Sequence, residues 1–158
     1  QPFIVGGGQQ DGRRSGTENT GGIIGFAEAA KIYRNKAAAF DAKALREAVM
    51  NVFDGHDGVR INGRGTNSGY ILSVSFKGLR GEIIAHMAED EGVLVGLGSA
   101  CSTHIKSNRV LGAMGVGRNY AEGSIRISFS PDTTKEEAVK GARVILEAAR
   151  RLGDTVNG

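Results

Sequence analysis

Residues 123–130 read Gly-Ser-Ile-Arg-Ile-Ser-Phe-Ser. Apolar and polar side chains alternate along it, with Ile125, Ile127 and Phe129 on one side and Ser124, Arg126 and Ser128 on the other. Successive side chains of a β-strand point to opposite faces of the sheet. The stretch therefore predicts a half-buried strand that presents Arg126 on its polar face.

On both sides of this strand, the pattern of apolar residues predicts alternating strands and helices. Further strands are expected at 59–61, 72–76 and 93–95, and residues 1–5 resemble the end of another. Helices are expected at 22–53 with a bend near 35–40, at 82–91, at 108–114, and after a proline-led turn at 131–134. The last helix has two possible capping boxes, Thr133 with Glu136 or Thr134 with Glu137. This order predicts an α/β fold, a few-stranded sheet covered by helices on one face.

Composition excludes several classes of protein. The net charge is +3, but the 20 basic and 17 acidic residues are interspersed and aromatic residues make up only 6%, which argues against a nucleic-acid-binding surface. No apolar run approaches the roughly 20 residues of a membrane span. One cysteine excludes an internal disulfide and suits a reducing cytosol, so we expect a cytoplasmic protein without a membrane segment. A start at Gln1 without methionine leads us to expect a fragment, a processed product or a partial chain.

The single cysteine lies in residues 96–103, Gly-Leu-Gly-Ser-Ala-Cys-Ser-Thr. A lone cysteine is often a small buried hydrophobe. Here small and polar neighbours follow an apolar run, which favours a loop and an accessible thiol at Cys101. His104 is close enough in sequence to lower the thiol pKa if the loop folds back, although a solvated histidine is the simpler interpretation. His56, His86 and His104 lack the spacing of metal ligands, so no metal site is predicted.

Two other features have both an ordinary and a functional interpretation. Arg126 is either a solvated surface residue or a guanidinium that faces a cleft and offers paired donors to a carboxylate. The loop at 6–20 contains five glycines and two arginines, and it is either a mobile surface loop or a cradle for an anion. Neither signal is specific by itself.

Three motifs together resemble the cysteine desulfurases, which are pyridoxal-phosphate enzymes. Residues 98–102 resemble the family's active-site cysteine loop, residues 6–9 leading to 14–19 resemble its glycine-rich loop, and residues 123–130 resemble its strand with the substrate-binding arginine. The motifs stand in family order. The resemblance covers only the C-terminal part of such an enzyme, the small domain of a fold-type I pyridoxal-phosphate transferase. It implies that residues 1–37 are the edge of the large domain and residues 38–158 the small domain.

The resemblance also implies a role for each motif. Cys101 would be the catalytic nucleophile that takes sulfur from L-cysteine as a persulfide and releases alanine. Arg126 would hold the substrate carboxylate, and Thr17 would contact the cofactor phosphate bound in the neighbouring subunit of a homodimer. The persulfide would pass to a sulfur-acceptor or scaffold protein for iron–sulfur cluster or thio-cofactor assembly.

The sequence departs from the family in two places. No lysine has the His-Lys context of the family's cofactor lysine, so the chain alone is expected to be inactive and to bind no pyridoxal phosphate. Residues 107–109 read Ser-Asn-Arg where the family often has Pro-Ser-His, which leaves partner recognition open. Two alternatives remain: a selenocysteine lyase-like or other class V aminotransferase-family enzyme, and a cofactor-free sulfur carrier or interaction module.

Overall fold

The computed structural model describes residues 1–65, 68–98 and 109–157. They form two compact units, Gln1–Ala39 and Phe40–Gly158, each of which is described by itself. Among the described helices, none combines the length and apolar character needed to cross a membrane.

The first unit consists of an irregular segment followed by helix α1, Thr20–Ala39. The side chain of Asn19 accepts a hydrogen bond from the Gly22 N–H at 3.0 Å, which caps the start of this helix. The expected strand at residues 1–5 is wrong: the backbone bends there and pairs with no strand of the described chain. A strand needs a neighbour for its backbone groups, and a local apolar pattern cannot supply one.

The long helical segment is interrupted, as predicted, and the break falls at Phe40 and Asp41. Helix α2, Ala42–Phe53, begins after Asp41, whose carboxylate accepts a hydrogen bond from the Ala44 N–H at 2.9 Å. Because aspartate at an N-cap satisfies a free amide of the first turn, it starts a new helix efficiently. The Phe40 ring packs against that of Tyr70 at a centroid distance of 5.6 Å, so the break is also anchored in the second unit.

Four antiparallel strands form the sheet of the second unit, in the order β1-β2-β4-β3. Their bounds are Val59–Asn62 for β1, Ile71–Phe76 for β2, Gly96–Leu97 for β3 and Ser124–Ser128 for β4. The expected strands at 59–61, 72–76 and 123–130 are confirmed. The one expected at 93–95 is wrong, because only Gly96 and Leu97 pair with β4, while Val93 and Val95 pack against the core before the strand begins.

Helices α2 and α3 (Gly81–Glu89) contact strands of the sheet, and α6 (Lys135–Asn157) packs against both of these helices. The core contains buried residues from all of these elements, including Leu45, Val49, Phe53, Leu72, Val74, Phe76, Ile84, Ala88, Ile125, Ala142 and Ile145. The predicted fold class, a few-stranded sheet covered by helices on one face, is confirmed.

Helix α6 begins with the second of the two predicted capping boxes. The Thr134 hydroxyl accepts from the Glu137 N–H at 3.2 Å, and the Glu137 carboxylate accepts from the Thr134 N–H at 3.0 Å. The Thr133 hydroxyl instead accepts from the Ser130 N–H, within the preceding turn. The helix continues to Asn157.

Two short helices, α4 (Arg109–Ala113) and α5 (Arg118–Ala121), complete the described chain. The helix expected at 108–114 is confirmed as α4, in which Leu111 is buried and Val110 is exposed. Helix α5 was not predicted. The Asn119 carbonyl accepts from the Gly78 N–H at 2.8 Å, which ties α5 to the turn after β2.

Candidate active site

A row of four residues crosses the polar face of the sheet. In the strand register, Asn62 of β1 is opposite Ser73 of β2, Ser73 is opposite Arg126 of β4, and Arg126 is opposite Gly96 of β3. Paired residues of neighbouring strands point to the same face. The predicted polar side of residues 123–130 is therefore part of a surface to which all four strands contribute.

Arg126 is exposed in the middle of this row. Its side chain extends over β3, because a Cβ built at Gly96 would lie 3.1 Å from Nη2 and 3.2 Å from Nε of Arg126. Within the described parts of the chain, its guanidinium makes no hydrogen bond or ion pair. A planar group with several unused donors can bind a carboxylate in a two-pronged manner.

Beyond Ser73, the polar face is buried rather than solvated. Asn62 is 5% exposed and Ser75 fully buried, and the Asn62 amide Nδ2 donates to Ser75 Oγ at 2.8 Å and to Ser73 Oγ at 3.1 Å. Ser73 Oγ lies 3.5 Å from Ser124 Oγ. Asn62 Oδ1 is buried and finds no partner in the described structure. Sequence reasoning missed Asn62; its position one residue past the predicted strand was the only available signal.

The glycine-rich loop of the first unit has a defined conformation. Gln10 and Asp11 adopt positive φ angles of 54° and 56°, next to Gly12 at 73°. Ser15 is buried, and its hydroxyl donates to the Gly7 carbonyl at 2.8 Å. The loop is thus held by its own hydrogen bonds.

Thr17 lies at the exposed end of this loop, three residues before α1 begins. Its carbonyl accepts from Arg14 Nη1 at 3.1 Å, while its hydroxyl bonds to no other residue that the structure describes. A hydroxyl donor near a helix N-terminus is chemically suited to a phosphate group. The observed position of Thr17 is compatible with the expected phosphate contact, which stays a prediction.

Cys101 and His104 lie outside the described residues, so the nucleophile and its proposed histidine neighbour stay predictions. Cys101 follows the end of β3 by four positions in sequence, and β3 is the strand beside Arg126. Thr17 and Arg126 belong to different units.

The described histidines are at the surface. His86 Nδ1 lies 3.5 Å from a Glu89 carboxylate oxygen with 70% of its side chain exposed, and His56 is exposed in the turn after α2. Over residues 1–65, 68–98 and 109–157, no group of three or more histidine, cysteine or acidic side chains is placed to hold a metal ion.

Another arginine, Arg46 of α2, was not singled out by the sequence. It is 5% exposed, and it donates from Nε to the Ile71 carbonyl at 3.2 Å and from Nη2 to the Gly63 carbonyl at 3.1 Å. Burial, together with the nearby charge of Arg64, lowers the pKa of its guanidinium. The side chain clamps both flanks of the β1–β2 connection and has a structural role.

Comparison with known proteins gives consistent matches. The family described as Aminotransferase class-V matches residues 7–140. The cysteine desulfurase IscS of Anaeromyxobacter sp. (strain Fw109-5) is 38% identical over 152 residues, covering 93% of this chain and 37% of that protein. The mitochondrial cysteine desulfurase of Arabidopsis thaliana is 36% identical over 159 residues, covering 96% of this chain and 34% of the relative.

Solved structures give the same result. A NifS-like protein superposes with a TM-score of 0.78 at 33% identity, covering 96% of this chain and 39% of its own. The NifS-like protein from Rickettsia africae ESF-5 superposes with a TM-score of 0.73 at 27% identity, covering 98% and 40%. The chain thus spans less than half the length of each of these proteins.

Proposed function

Because the chain belongs to the aminotransferase class-V family, we propose that it is the C-terminal part of a cysteine desulfurase that converts L-cysteine to L-alanine. The similarity to proteins named cysteine desulfurase over more than nine-tenths of the chain supports this proposal. In the overall reaction the substrate sulfur moves to the thiol of Cys101, so that cysteine and a protein thiol become alanine and a protein persulfide.

The observation that carries the proposal is the guanidinium of Arg126. It is exposed on a polar sheet face, it has no carboxylate partner in the described structure, and it lies over the strand that leads to Cys101. A substrate held there by its α-carboxylate would have its orientation fixed by two parallel hydrogen bonds. The thiolate form of Cys101 would then be the attacking group, since a thiol attacks sulfur only after losing its proton.

Pyridoxal phosphate, when bound, would supply the electron sink that this chemistry requires. Of the described residues, Thr17 fits a contact to its phosphate, because its exposed hydroxyl precedes the start of α1. We propose that this phosphate belongs to the neighbouring subunit of a homodimer, and that a sulfur-acceptor or scaffold protein in the cytoplasm receives the persulfide.

The test uses the complete polypeptide that contains this chain. Arg126→Ala should raise KM for L-cysteine roughly 10- to 150-fold, because a charged hydrogen bond contributes ~1.5–3 kcal/mol. Arg60→Ala is the matched control, since Arg60 is an exposed arginine on the same sheet face, opposite Ser75. The KM of the Arg60→Ala variant for L-cysteine should stay within about twofold of the wild-type value, as expected for an exposed residue outside the site. Equal KM values for the two variants would return Arg126 to the role of a solvated surface residue.

A second variant separates the proposal from its alternatives. Cys101→Ser should abolish persulfide formation and alanine release from cysteine, because a hydroxyl cannot accept sulfur in this way. Sulfur release that persists in this variant would favour a selenocysteine lyase-like enzyme without a catalytic thiol. A protein that carries sulfur on Cys101 but releases no alanine would favour a cofactor-free sulfur carrier.

A further inference from the structure

Gly96 is a glycine whose presence the backbone does not explain. Several other glycines of the second unit, such as Gly58, Gly78 and Gly92, have positive φ angles that disfavour side chains, and Gly96 does not. Gly81 and Gly123 sit against backbone carbonyls, those of Ser124 and Phe76 respectively, where any Cβ would clash. Neither a positive φ angle nor a clash with a backbone carbonyl below 3.4 Å therefore accounts for the glycine at position 96.

What lies nearest to Gly96 is the side chain of Arg126. A Cβ at position 96 would lie 3.1 Å from Nη2 and 3.2 Å from Nε, closer than its 3.4 Å distance to the Arg126 carbonyl oxygen. Glycine weakens a strand, and within strands it often marks a place where another group approaches closely. Here that group is a guanidinium.

We propose that Gly96 is a positioning residue, whose missing side chain sets where the Arg126 guanidinium lies and thereby how an amino-acid carboxylate is held. This inference rests on the proposed function. The other row neighbour of Arg126, Ser73, has its hydroxyl within hydrogen-bond distance of Asn62 and Ser124. The guanidinium lies against β3, the strand that precedes Cys101 in the sequence, and a Cβ at position 96 would press on it at 3.1 Å.

Two substitutions of increasing size test the role in the complete polypeptide. Gly96→Ala should raise KM for L-cysteine about threefold to tenfold and Gly96→Val more, because small displacements of a binding group carry large penalties. The value of kcat should stay within about twofold, since the saturated enzyme has already formed the carboxylate contact. Gly112→Ala is the control: its Cβ would meet nothing within 4 Å, and it should leave KM unchanged.

A double-mutant cycle distinguishes positioning from general damage. In an Arg126→Ala background, Gly96→Ala should cause no further rise in KM, because there is no guanidinium left to displace. An additional rise of the same size in that background would show a structural effect and overturn the proposal. If Gly96→Val does not fold, the double-mutant cycle with Arg126→Ala is measured with Gly96→Ala and Gly96→Ser instead.

The outcomes also separate this inference from the proposed function. If Arg126→Ala raises KM while Gly96→Ala and Gly96→Ser leave it unchanged, the positioning role is wrong and the desulfurase assignment stands. If the wild-type protein releases no alanine from L-cysteine, the proposed function fails, and the role of Gly96 in substrate binding fails with it.

Discussion

Helices α1 and α6 have similar lengths, 20 and 23 residues, but they differ in how much of their apolar surface is buried. Helix α6 buries Ala142, Ile145, Ala148 and Ala149 in the hydrophobic core and packs against α2 and α3. Helix α1 carries larger apolar side chains, yet the described chain buries none of its residues. Phe26, for example, is 78% exposed. The comparison teaches that periodic apolar residues define the face of a helix without defining what covers it.

The difference has an energetic meaning. Burying a large apolar side chain stabilises a protein by ~1.5–3 kcal/mol, and an exposed one contributes little. The second unit, Phe40–Gly158, should therefore hold nearly all of the cooperative stability of the chain. Matched substitutions in the two units test this directly.

The largest expected effect is at a buried phenylalanine. Phe53 of α2 is 1% exposed and packs edge-on against Phe76 at a centroid distance of 6.2 Å. Phe53→Ala should lower the free energy of unfolding by ~3–5 kcal/mol, whereas Phe26→Ala should change it by less than about 0.5 kcal/mol. Urea denaturation of both variants measures the difference. If both variants lost a similar free energy of unfolding, Phe26 would be buried in solution and the contrast between α1 and α6 would be wrong.

An intermediate effect is expected at a buried arginine. Arg46→Ala removes the donors to the Gly63 and Ile71 carbonyls and should cost ~1.5–3 kcal/mol. Arg34→Ala, at an exposed position of α1, should cost less than about 0.5 kcal/mol. Thermal unfolding of the two variants gives the comparison. An unchanged unfolding temperature for Arg46→Ala would mean that water replaces the guanidinium at these carbonyls without a loss of stability.

A smaller effect is expected at the helix caps. Thr134→Ala removes the cap of α6 and should cost ~1 kcal/mol. Asn19→Ala removes an equivalent cap from α1 but should hardly move the main unfolding transition, because α1 adds little to the packed core. If both substitutions shifted that transition equally, the two units would unfold as one.

The smallest effect concerns pH. Hydrogen bonds from the Thr134 N–H and hydroxyl lower the pKa of Glu137, and a hydrogen bond from Arg64 lowers the pKa of Asp54. A carboxyl with a lowered pKa in the folded state stabilises the protein above its unfolded-state pKa, and this contribution is lost as the pH falls through the folded-state pKa. Stability should therefore decrease on acidification below the usual carboxyl range.

Glu137→Gln should make this acid dependence shallower, as measured by urea midpoints at a series of acidic pH values. Glu136→Gln is the control, because Glu136 has no part in the observed capping box. If the urea midpoints of both variants and the wild type fell equally with pH, the Thr134 hydrogen bonds would not lower the pKa of Glu137 in solution.

Local patterns anticipated much of the fold. The alternation at 72–76 and 123–130, the break in the long helical segment and the capping box at Thr134 all appear in the structure. The two wrong strand predictions share one cause: residues 1–5 and 93–95 have strand-like composition, but pairing depends on what else in the chain can reach them. Of the candidate site, Arg126 was found from its strand motif, whereas Asn62 and Gly96 were not, since neither stands out beside its sequence neighbours.

The amino-acid sequence alone was enough to predict β1, β2, β4, the break between α1 and α2 and the cap of α6, because side-chain periodicity and capping act over a few residues. Only the tertiary structure decided that Asn62, Ser73, Arg126 and Gly96 form one row, since the row joins strands up to 64 positions apart by number, from residue 62 to residue 126. Register of this kind depends on packing the whole apolar face at once, because a shift by one residue would turn every side chain to the wrong side.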